Sequence, residues 1–69
     1  MDKNTTYVHD HIVNFEPTYL ALMRAVRGAL SANELRTIVR RNYQQCGLRS
    51  PDLIGVNYAA MIEWESDNG

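Results

Sequence analysis

The sequence predicts an all-α fold, a compact domain of three or four helices, and three observations carry that expectation. Apolar residues recur at intervals of three and four along much of the chain. Pro17 and Pro51 stand where helices would begin, because the first helical amide has no acceptor to lose and the φ of proline is already helical. Ser31 and Glu34 form the Ser-x-x-Glu pattern, in which each side chain satisfies a free amide at a helix start.

The first fifteen residues give a divided signal. Val8, His11, Ile12 and Phe15 have helical spacing, while Tyr7, His9, His11, Val13 and Phe15 alternate as a strand would. A single strand would find no partner in the rest of the chain. The expectation is therefore a short helix over about 6–14.

Tyr19, Leu22, Met23, Val26 and Leu30 then share one face of a helix over 17–30, with Arg24 and Arg27 off that face and Gly28 weakening its last turn. The next helix is expected over 32–46, carrying Leu35, Ile38, Val39, Asn42 and Cys46 on one side. Gly47 supplies the left-handed residue that ends it, and Leu48 is free to pack back. Ser50, Pro51 and Asp52 offer a cap, a first-turn proline and an acid for the positive end of the dipole, so a last helix is expected over 51–65.

That last segment is apolar almost all round, through Leu53, Ile54, Val56, Tyr58, Ala59, Ala60, Met61, Ile62 and Trp64. A helix of this kind has to be central, or shared between the core and a second subunit. The expected core is Tyr19, Leu22, Val26, Leu35, Ile38, Val39, Leu53, Met61 and Trp64.

With 69 residues the chain forms one domain, which buries only about 60% of the surface exposed by its unfolded state. Cys46 is the single cysteine, so neither an intrachain disulfide nor a cysteine-based zinc site is available to help. A homodimer or higher oligomer is expected to supply the missing stability. Gly55, Ala59 and Ile62, spaced about a turn apart, are the candidate self-association residues. No stretch approaches the ~18 apolar residues of a membrane span, so no membrane partner and a cytoplasmic location are expected.

Chemistry is sparse. His9 and His11 would point about 200° apart on a helix, which denies them a shared metal. Cys46 lies on an apolar face without a base beside it, and the glycines at 28, 47, 55 and 69 form no phosphate loop. A non-enzymatic protein is expected, with no catalytic residues, no metal and no cofactor.

Charge is the stronger clue. Residues 24–49 hold six arginines against one acid, Glu34, for a net charge of +5, between acidic flanks of −2 and −4. The overall charge of −1 speaks against coating nucleic acid or anionic membrane by charge alone. On the 32–46 helix, Arg36, Arg40, Tyr43 and Gln44 lie along one flank, and with Arg49 they make the candidate partner-binding face. Arginine's planar fork suits carboxylates, so the expected partner is a protein with an acidic surface.

Nucleic acid is the alternative partner, because the stretch from Ile38 to Met61, with Gly47 and Leu48 in its turn, loosely resembles the helix-turn-helix DNA-binding family. The resemblance covers about a third of the chain and implies a small DNA-binding regulator. The chain departs from that pattern at Tyr43, where the family packs a small residue. It departs again in its last helix, which is apolar and acidic where a recognition helix is polar and basic.

Overall fold

Three of the helices start at a side-chain cap, and one starts at a first-turn proline. The structure is a computed structural model that describes residues 1–68. Its elements are α1 (Lys3–Ile12), α2 (Glu16–Val26), α3 (Ala32–Asn42), a single 3-10 turn (Ser50–Leu53) and α4 (Tyr58–Asn68). No strand occurs among the described residues. The domain is all-α, with four helices packed around one core.

Asp2 caps α1 by accepting from the Thr5 amide at 2.8 Å. The helix starts earlier than expected and ends at Ile12, with Val13 as its C-terminal cap. Pro17 sits in the first turn of α2, which ends earlier than expected because Gly28 takes φ +82°. The Ala29 amide then donates to the Arg24 carbonyl, and the Gly28 amide to the Ala25 carbonyl, a closure that only a left-handed residue permits without strain.

Ser31 and Glu34 cap α3 reciprocally, at 3.1 Å and 2.9 Å. The helix ends at Asn42, four residues earlier than expected; the chain continues as turns through 43–47, and it is these that Gly47, at φ +83°, closes in the same way as Gly28. Leu48 folds back into the core as the sequence suggests.

The segment 51–65 is not one helix. The Ser50–Leu53 turn forms at Pro51 and Asp52, where the Arg49 amide donates to the Asp52 carboxylate at 2.8 Å, but Gly55 then takes φ +75° and the chain leaves helical geometry. Asn57 restarts it as the cap of α4, its side-chain oxygen accepting from the Ala60 amide at 2.9 Å. Because α4 begins seven residues late and runs on to Asn68, it loses the apolar Leu53, Ile54 and Val56 and gains the polar Ser66, Asp67 and Asn68. It therefore buries one side, at Tyr58 and Met61, and exposes the other.

The core consists of Val8, Ile12, Ala21, Leu22, Ala25, Leu35, Val39, Leu48, Tyr58 and Met61. Of the expected set, Leu22, Leu35, Val39 and Met61 are buried, Ile38 and Leu53 are half-buried against the cluster, and Val26 is half-buried. Tyr19 and Trp64 are corrections, at 40% and 41% exposed. The reason for the first is that α2 turns its small residues inward: Thr18, Ala21 and Ala25 allow close approach of its neighbours, which moves Tyr19 to the outside. Trp64 instead lies at the edge of α4, its ring inclined at 70° to that of His9 with the centroids 5.2 Å apart.

Long-range hydrogen bonds from α1 fix the irregular connection between the 3-10 turn and α4. Asn4 donates from Nδ2 to the carbonyls of Asp52 and Ile54 at 3.1 Å and 2.6 Å. The buried hydroxyl of Thr5 accepts from the Asn57 amide at 3.0 Å. Polar backbone that no helix satisfies is thus met by two side chains of the first helical turn.

Candidate functional site

Arg36 and Arg40 stand one turn apart on the exposed side of α3. With Ser50, Leu53, Ile54 and Gly55 they line a groove of about 310 Å³. One wall is therefore a helix and the other is the connection that Asn4 holds in place. On that second wall Ile54 is 76% exposed, the most exposed of the large apolar side chains among the described residues.

Tyr58, at the start of α4, lies near enough to both arginines to feel their charge. Burial pushes its phenol above the ordinary tyrosine range, and the Arg36 and Arg40 guanidiniums oppose that rise. Its hydroxyl is buried and has no hydrogen-bond partner among the described residues.

The electrostatic state of the arginines is the main finding. Among the described residues, no carboxylate comes within 4.0 Å of an arginine guanidinium; the two close side-chain pairings both involve His9, with Glu65 at 2.7 Å and Asp10 at 3.7 Å. The acidic C-terminal segment therefore does not fold back to neutralise the basic one. Glu34, the only acid within the basic segment, spends its carboxylate on the cap of α3, and the Ser31 amide and hydroxyl hold its pKa below the usual range.

The other candidate residues scatter. Tyr43 is half-buried against the core, Gln44 is exposed in the turn after α3, and Arg49 is exposed in extended backbone ahead of the 3-10 turn. The structure brings together Arg36 and Arg40 and joins them to Ser50, Leu53, Ile54 and Gly55, which sequence reasoning did not assign to the site. Gly55 in the strand of chain before Asn57 was the available signal, since a glycine inside an apolar run marks a break.

Gly55, Ala59 and Ile62 do not share a helix face. Gly55 lies outside α4, in a left-handed turn, so the spacing that suggested a close helix contact is not a helical spacing. Ala59 is exposed and Ile62 is half-buried. The same break divides the segment that would be a recognition helix, and α4 itself carries acids at 63, 65 and 67.

His9 and His11 diverge. Nε2 of His9 meets the Glu65 carboxylate in the interior, while Nδ1 of His11 donates to the Tyr7 carbonyl at 2.9 Å. No group of three or more histidine, cysteine, aspartate or glutamate side chains gathers as a metal site among the described residues. Cys46 is half-buried, its sulfur 3.6 Å from the Thr18 hydroxyl. No described helix is long and apolar enough to cross a membrane. Comparison of the chain with protein-family models, curated proteins and solved structures finds no match, so its chemistry has to be read from the residues themselves.

Proposed function

We propose that the chain is a non-enzymatic interaction protein that binds an acidic surface of a partner protein in the groove between α3 and the 50–55 segment. Arg36 and Arg40 supply two guanidiniums at helical spacing, and Ile54 and Leu53 supply apolar surface beside them. A protein segment with acids and a large apolar residue satisfies both halves of such a groove, whereas a bare polyanion leaves the apolar half wet.

The observation that carries this reading is the unneutralised charge of the arginine pair. An exposed cation that has no partner at home keeps its full capacity for a carboxylate elsewhere, and arginine loses less hydration than lysine on meeting one. Charged side chains placed in this way set orientation and association rate more than raw affinity.

The test is fluorescence anisotropy with a labelled peptide of alternating glutamate and leucine, alongside a labelled DNA duplex. The wild-type chain is expected to bind the peptide, and Arg36→Glu/Arg40→Glu to lose at least about tenfold in affinity with its helical circular dichroism unchanged. Retained peptide binding in that variant would overturn the proposal. Tighter binding of the duplex, falling steeply with salt, would put a nucleic-acid regulator in its place.

A further inference from the structure

One acidic surface with an apolar residue beside it is present on the chain itself. Glu63 and Asp67 stand one turn apart on α4, the same i,i+4 spacing as Arg36 and Arg40 on α3. Trp64, 41% exposed, lies between them in sequence. Together with Met1, Ala60 and Asn68, these three residues line a shallow cleft of about 260 Å³. Among the described residues, neither carboxylate has a cation within 4.0 Å.

We infer that a second copy of this chain occupies the arginine groove, entering with the Glu63, Trp64 and Asp67 face of its α4. The inference rests on the reading of the groove as a docking site for an acidic protein surface, and it names the occupant. Charge complementarity carries it. The basic segment holds a net +5 and the segment from Ser50 onward a net −4, yet among the described residues no guanidinium lies within 4.0 Å of a carboxylate.

The geometry matches as well. Side chains at i and i+4 are about 6 Å apart at their Cβ atoms on any helix, so two such pairs on facing helices place two carboxylates against two guanidiniums in one register. The exposed Ile54 beside the arginines and the cleft beside Trp64 add an apolar contact to the same approach.

The two surfaces differ, so the association is head to tail. A docked pair leaves one groove and one acidic face unused, and further copies add until a ring closes. The pairing is ionic at its rim and therefore weakens as salt shortens the Debye length.

Light scattering across a concentration series tests this. At about 50 mM salt the mass of the wild-type chain is expected to rise with concentration, and at about 0.5 M salt to return to that of one chain. Arg36→Gln/Arg40→Gln and Glu63→Gln/Asp67→Asn are each expected to stay single on their own, with circular dichroism confirming that both fold. Mixed in equal amounts they are expected to form a pair that grows no further, because one retains only the acidic face and the other only the groove.

A wild-type mass that stays at one chain throughout the low-salt series would overturn the inference. So would association that survives Glu63→Gln/Asp67→Asn. If the wild-type chain stays single but still binds the glutamate–leucine peptide through Arg36 and Arg40, this inference fails and the docking site stands. If association depends on Glu63 and Asp67 but not on Arg36 and Arg40, the groove reading fails with it.

Discussion

Nε2 of His9 on α1 lies 2.7 Å from the Glu65 carboxylate on α4, and the His9 ring meets the edge of Trp64 on the same helix. A contact between residues 56 positions apart thus fastens the outer end of the last helix to the first. Both side chains are largely enclosed, at 10% and 15% exposed, so solvent cannot replace the bond freely. Glu65→Ala leaves the buried ring nitrogen without its partner, and a loss of about 1–3 kcal/mol is expected. The check is urea unfolding followed by Trp64 fluorescence, with His9→Ala giving the larger spectral change because it also removes the ring that Trp64 touches.

Met61 is fully buried on α4. Met61→Ala is expected to cost about 2–5 kcal/mol, the usual range for emptying such a site. A core of this size alone supplies about 3–5 kcal/mol. The variant should therefore have little helical circular dichroism at 25 °C, and a variant that melts as the wild-type chain does would contradict the packing described.

Tyr58→Phe acts in the opposite direction. The Tyr58 hydroxyl is buried and has no partner among the described residues, so removing it relieves a desolvated polar group and leaves the ring packing in place. A gain of about 1 kcal/mol is expected, read as a rise of about 4–8 °C in Tm for a domain of this length. A fall in Tm would mean that the hydroxyl is satisfied.

Acid should loosen the helix starts. Amide and side-chain hydrogen bonds from Thr5 and Ser31 hold the Asp2 and Glu34 carboxyls below their ordinary values of 3.8 and 4.5. A depressed pKa in the folded state contributes stability that is present above the unfolded value and is lost as pH falls through the folded one. Stability measured by urea unfolding is therefore expected to drop below about pH 4. Ser31→Ala is expected to cost about 1 kcal/mol at neutral pH and to flatten part of that acid slope.

The groove wall gives a test that leaves the arginines untouched. Asn4 holds the Asp52 and Ile54 carbonyls, so Asn4→Ala frees the connection that positions Leu53, Ile54 and Gly55. A several-fold weaker affinity for the glutamate–leucine peptide is expected, with α3 and its arginines unchanged by circular dichroism. Undiminished affinity would show that the wall takes no part.

What the sequence reveals here is local. The Ser31 and Glu34 pair, Gly47 with Leu48, and the helical spacing of Leu35 and Val39 act within one or two turns, so each could be read directly and each holds in the structure. The break at Gly55 and the cap at Asn57 are also local, but the capping pattern of Ser50, Pro51 and Asp52 and the unbroken apolar run masked them. Arg36 and Arg40 could be placed on one flank from their spacing alone. The wall opposite them could not, because Asn4 sets it from 48 and 50 residues away, and no periodicity records such a bond. Tyr19 shows the remaining limit: hydrophobicity ranks a tyrosine above an alanine, whereas close helix packing put Ala21 and Ala25 inside.

The bonds from Asn4, Thr5 and His9 to residues 52–65 also set the order of events on the ribosome. The first helix is made before the last, and each of these hydrogen-bond partners follows more than forty residues later. At about 5–20 residues per second it waits seconds for them. Nascent chains arrested before Asn57 should accordingly be open to proteases, with protection arriving in one step once α4 clears the exit tunnel.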